Sequence, residues 1–174
     1  MRRTVTVDGI RAAAGVLLIA ALAAFVPAQS SGASLCATKQ LRITIAAVQG
    51  GLDHVGAAVR FRNQGGTCVL RGYPGVDGLA ADGRAVVHAT RSLSGYLGGA
   101  KALESVVLGH GKTASALYEG LGGPLPGHRC PNYRFLEITP PNETHSVRLR
   151  VDRGLCSPQI HPVVAGRTGS VAAV

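Results

Sequence analysis

From residue 41 onward, apolar and polar residues alternate in short runs separated by turn-forming residues. The clearest are LRITIAAV (41–48), VGAAVRF (55–61), CVLRGY (68–73), YRFLEIT (133–139) and HSVRLRV (145–151). Alternation with a period of two places successive side chains on opposite faces, the pattern of a half-buried β-strand. ESVVL (104–108), KTASALYE (112–119) and PQIHPVV (158–164) read the same way, and the last carries prolines at its ends, which suits an edge position. Asp82-Gly83 sits between alternating runs within 76–90 and predicts a two-residue hairpin turn.

The intervening stretches are turn chemistry. QGGLDH, PPNE and Gly109-His110-Gly111 each join two strand runs, and each predicts a hairpin turn. Residues 91–103 lack periodicity and read as a long loop, 120–129 as a glycine-rich loop, and 165–174 as a loose tail. About nine short strands with turn signals every 8–12 residues predict an all-β domain, an Ig-like β-sandwich of antiparallel strands. An immunoglobulin domain proper also wants a core Trp, and the chain has none.

The four cysteines refine this picture. Cys36 and Cys68 flank the first two runs, and their midpoint, residue 52, falls inside the QGGLDH turn. Cys130 and Cys156 flank 133–139 and 145–151, with a midpoint at residue 143 in the second turn. If each pair of runs is a hairpin, both pairs of cysteines meet at its open end, so bridges 36–68 and 130–156 are expected. Each closes a loop worth roughly 3–4 kcal/mol in the chain-entropy model. A metal or catalytic role would need C-x-x-C-like spacing or a free thiol, and neither is present.

The N-terminus sets the expected compartment. Arg2, Arg3 and Arg11 precede an uncharged stretch from Ala12 to Ala28, closed by Val26-Pro27-Ala28. A basic start, an apolar centre and a small-residue site make a secretory signal peptide. The alternative is an uncleaved membrane anchor, but a span needs about 20 apolar residues. Leu35 before Cys36 does not fit a lipidation site. The expected division is a signal at 1–28, a linker at 29–35, a domain at 36–164 and a tail at 165–174. After cleavage 15 basic and 8 acidic residues remain, a net charge of +7, with the basic residues scattered singly. Nucleic-acid binders concentrate charge in a patch with aromatics interleaved, so no nucleic-acid partner is expected, and the charge reads as a solvated surface.

No constellation of catalytic residues stands out. His54, His88, His110, His128, His145 and His161 never fall at metal-binding spacing, and no Ser lies in a G-x-S-x-G elbow. Gly111-Lys112-Thr113 ends like a phosphate-binding loop, but the position needing the first glycine is Val106, and a strand run rather than a helix follows. Nucleotide binding is therefore not expected, and neither is any metal or cofactor. Tyr73, Tyr96, Tyr118 and Tyr133 offer sugar-stacking faces in principle, but packing in the core or at strand edges is the expected role.

Thr67-Cys68-Val69-Leu70-Arg71-Gly72-Tyr73-Pro74-Gly75-Val76 resembles the signature of a family of secreted actinobacterial proteins known as domain of unknown function 4232. Cys36, Phe61-Arg62-Asn63, Ala80-Ala81-Asp82-Gly83, the run 111–117 and the pair Cys130 and Cys156 match the rest of its pattern, covering about 36–164. The resemblance implies a β-sandwich outside the membrane and brings no activity or functional residue with it. Members are often lipoproteins or membrane-anchored, and here the chain departs from them. The expectation for function is an exported, non-catalytic binding module of the envelope or extracellular space, with an unidentified partner there. The alternative is a small envelope hydrolase or metal-handling protein.

Overall fold

The structure, a computed structural model, describes residues 32–170 except 52, 125, 127 and 128. The expected signal segment and residues 171–174 lie outside the described residues. No helix among the described residues is long and apolar enough to cross a membrane. The domain is all-β, with one short 3-10 turn at Thr38–Gln40. Where about nine strands were expected there are thirteen among the described residues, because several runs are broken into pieces of two to five residues.

The largest sheet contains β1 (Leu41–Ile45), β2 (Gln49–Gly51), β3 (His54–Asn63), β7 (Thr90–Arg91), β9 (Thr113–Leu121), β12 (Cys156–Ile160) and β13 (Val164–Ala165), in the order β1-β3-β9-β12-β7. β2 also pairs with β3, and β13 with β9. A second sheet runs β11 (Val147–Arg150), β10 (Phe135–Thr139), β5 (Gly75–Leu79), β6 (Ala85–His88), and a third joins β4 (Cys68–Arg71) to β8 (Ser105–Leu108). Leu41, Ile43, Val59, Phe61 and Ala116 of the first sheet meet Leu136 and Ile138 of the second and Leu70 and Leu108 of the third in one apolar core. That is the layered packing of a β-sandwich. Burial of each large side chain in it contributes roughly 1.5–3 kcal/mol.

Both cysteine-flanked hairpins form. Ile45 pairs with Val59 and Leu41 with Asn63, while Ile138 pairs with Val147 and Phe135 with Arg150. The bridges are Cys36–Cys68 and Cys130–Cys156, each with a Cα–Cα distance of 4.9 Å. The second does more than close its hairpin: Cys156 opens β12, so it ties the segment before β10 to the other large sheet. Tyr133 reinforces the same junction. Its hydroxyl donates to the Leu155 carbonyl (3.1 Å), accepts from the Leu155 N–H (2.6 Å), and lies 2.6 Å from the Tyr118 hydroxyl of β9. Burial pushes both phenols well above their ordinary pKa, so they stay neutral.

Several expectations need correction. The Asp82-Gly83 turn is a three-residue hairpin loop, closed by the bonds from Gly83 N–H to the Ala80 carbonyl and from Ala80 N–H to the Arg84 carbonyl. Gly109-His110-Gly111 is a turn, but the strands it joins belong to different sheets: β8 pairs with β4 and β9 with β3. The run 158–164 is not an edge strand, since β12 lies between β9 and β7, with Pro158 at an irregularity where no ladder N–H is needed. The β12–β7 pairing is parallel. Finally, the structure holds 165–170, the described part of the expected loose tail, against the sheet. Ser115 Oγ donates to the Gly166 carbonyl and accepts from the Gly169 N–H, both at 2.9 Å. At the other end Ser34 and Leu35, assigned to the linker, pair with Val69.

Candidate functional site

The long strands β3 and β9 explain why one surface of the main sheet differs from the rest. Val55, Val59, Phe61, Ala114, Ala116 and Tyr118 point into the core, so Arg60, Arg62, Ser115, Leu117 and Glu119 fall on the opposite face. Ser115, Leu117 and Glu119 are nevertheless buried, because the loop 92–100 and the closing segment 164–170 cross over them.

Under this cover lies the buried pair Glu119–His161. His161 Nε2 lies 2.9 Å from Glu119 Oε1, and the side chains are 0% and 3% exposed, respectively. A carboxylate only accepts, so Nε2 carries the proton. The second carboxylate oxygen accepts the Leu97 N–H at 2.9 Å. His161 Nδ1 has no partner among the described residues. The loop can approach this closely because Gly95 and Gly99 have no side chains: a Cβ on Gly95 would overlap Glu119 Oε1, and one on Gly99 would overlap the imidazole.

Beside the pair is an open cleft of about 330 Å³, lined by Asp53, His54, Tyr96, Glu119, Ser157 and Gln159 among others. His54 and Tyr96 stack with ring centroids 3.5 Å apart and planes at 22°, and Tyr96 is 73% exposed. Ser157 sits at the β12 irregularity with φ of 45°, left-handed backbone that is uncommon outside glycine. Among the described residues no hydroxyl hydrogen-bonds to an imidazole, and no three His, Cys, Asp or Glu side chains converge to hold a metal.

Over residues 36–169 the chain matches the model of a family described as a domain of unknown function, DUF4232. The chain belongs to this family. No curated protein and no solved structure matches it. The DUF4232 match begins at a bridged cysteine and ends at Gly169, whose backbone lies against Leu117. The segment expected to be a tail is thus part of the DUF4232 domain.

Within the domain the histidines do not gather. His88 Nδ1 meets Asp77 Oδ1 at 2.5 Å on an exposed edge, a ring nitrogen of His110 contacts the Gly65 carbonyl, and His145 lies by the β10–β11 turn. His128 lies outside the described residues. Tyr118 and Tyr133 are core residues as expected, but Tyr96 is not. Sequence reading missed Glu119–His161 because the partners are 42 residues apart, one on β9 and the other just past β12, strands that pair out of chain order. Its one local signal was the pair of glycines at 95 and 99 in a loop without periodicity.

Proposed function

We propose that the protein is an exported, non-catalytic binding module of an actinobacterial envelope, Ig-like in architecture, which recognises a sugar-like ligand at the His54–Tyr96 cleft. One observation carries this reading: a large aromatic ring stands exposed on a stacked partner in the lining of an open cleft that also carries a few polar side chains. An exposed ring of this kind offers an apolar face for a sugar's C–H groups. Asp53, Ser157 and Gln159 supply donors and acceptors for hydroxyls, the few placed polar groups that fix a ligand's orientation. Glu119, the buried acid, holds the Leu97 N–H and the His161 ring in place beside the cleft. Two disulfides in a small domain support an oxidising compartment, and so does the leader-like N-terminus.

The test is a titration of the oxidised protein with hexose and N-acetylhexosamine disaccharides, followed through the ring signals of Tyr96 and His54. Saturable shifts that Tyr96→Ala abolishes are expected. Unmoved ring signals across the panel would remove the reading. The strained Ser157 favours one alternative, a small hydrolase. Covalent labelling of Ser157 by a fluorophosphonate would replace the binding module with that enzyme.

A further inference from the structure

The cover over the outer face of β3 and β9 stops short of one end. There the strands bring together charges that are well separated in the chain. Arg42 of β1 stands directly opposite Arg62 of β3, and Thr44 opposite Arg60, while Arg62 pairs in turn with Thr113 of β9. Arg167 arrives from the closing segment, and its carbonyl accepts Arg60 Nε–H at 2.9 Å. The six residues Arg42, Thr44, Arg60, Arg62, Thr113 and Arg167 line one recess of about 190 Å³. The basic residues are therefore not all scattered singly, as they appear in sequence.

Like charges directly opposite on a sheet destabilise it, and nothing here offsets the repulsion. Among the described residues none of these four arginines forms an ion pair, whereas Asp82 lies by Arg84 and Asp77 by His88 elsewhere on the surface. Arg60 is half-buried and held through one nitrogen, which leaves its remaining N–H groups without a protein acceptor among the described residues. The hydroxyls of Thr44 and Thr113 add neutral donors. Planar guanidinium forks and hydroxyls around a small recess form the donor set of an oxyanion site.

We propose that this recess binds the phosphate or sulfate group of a small organic ester. The recess is too small for a drug-sized ligand, for which about 300–1,000 Å³ is usual. Arg60 and Arg167 also line an adjoining groove of about 510 Å³, together with Ala46, Ala58, Leu97 and Leu117. The anion sits among the arginines, and the body of the ester lies along that less polar groove. This site is separate from the His54–Tyr96 cleft and does not depend on its reading.

The test is calorimetric titration of the oxidised full chain with inorganic phosphate, inorganic sulfate and phenyl phosphate, at constant ionic strength set with chloride. Saturable one-to-one binding is expected, tighter for phenyl phosphate than for inorganic phosphate. Arg60→Gln and Arg62→Gln should each weaken it at least about tenfold, and Arg62→Lys several-fold, because charge is kept and the fork lost. Arg84→Gln and Arg148→Gln, which lie by the β5–β6 turn and line neither the recess nor the groove, should leave it unchanged. Relief of repulsion gives a second readout: Arg62→Gln should hold or raise the Tm of the free protein while removing the rise that phosphate produces. Equal losses in the remote variants, or no saturable binding above chloride, would overturn the site. Equal affinity for phenyl and inorganic phosphate would overturn the placement of the ester's body.

Discussion

Replacing Glu119 by alanine removes the acceptor of two buried donors, His161 Nε2–H and Leu97 N–H. The imidazole is fully buried, and its Nδ1 already lacks a partner among the described residues, so no remaining bond compensates. Breaking a buried pair by removing one member costs about 3–5 kcal/mol, which in a domain of this size lowers Tm on the order of 10–20 °C. Glu119→Gln separates the causes. It keeps the volume but retains one acceptor for two donors, and the loss should be about 1–3 kcal/mol. The assay is thermal and guanidinium unfolding of the oxidised protein, with amide exchange read at Leu97, whose N–H loses its acceptor in the alanine variant. A double-mutant cycle with His161→Ala should show strong coupling, because the second deletion removes the group stranded by the first. A Glu119→Ala variant within about 1 kcal/mol of wild type, or additive single effects, would refute the view that this pair anchors the loop.

Three further outcomes follow from the geometry. Tyr133→Phe should cost more than Tyr118→Phe, roughly 2–3 against 1 kcal/mol, because it strands both polar groups of Leu155 as well as the Tyr118 hydroxyl; chemical denaturation of the two variants measures the order. Cys130→Ala with Cys156→Ala should lower stability by roughly 3–4 kcal/mol through the lost loop constraint, and a change below about 1 kcal/mol in guanidinium midpoint analysis would contradict it. The Glu143 carboxyl is held below the ordinary carboxylate range chiefly by the Thr38 N–H (3.0 Å), with help from the Thr38 hydroxyl (2.7 Å). Its contribution is therefore complete above the unfolded pKa and lost as pH falls through the lower folded value; Glu143→Gln should flatten the acid limb of Tm against pH below about 5.

What the chain discloses in advance depends on whether partners are neighbours in sequence. The β1–β3 and β10–β11 hairpins were legible because alternation, turn chemistry and cysteine positions agree on their centres at 52 and 143. The strand at 105–108 was legible as a strand, but nothing in its pattern says that it pairs with β4 rather than folding back on β9. The same limit hid the candidate sites. Glu119 meets His161, and Arg42 meets Arg62 and Arg167, only through strand order and register. Gly166 and Gly169 resemble a flexible end because small residues suit both disorder and close backbone packing. Only the neighbouring Ser115 and Leu117 decide between the two.

The segment 164–170 has a consequence for how the molecule is made. It follows all the other strands of the main sheet in chain order, yet it pairs with β9 and covers Ser115 in the middle of that sheet. A nascent chain that has emerged only through β12 leaves that strip of sheet bare and lacks one of the four arginines. The finished surface therefore forms only once residues 164–170 have joined the sheet, and a truncation or fusion made within them would leave that strip uncovered rather than trim a loose segment.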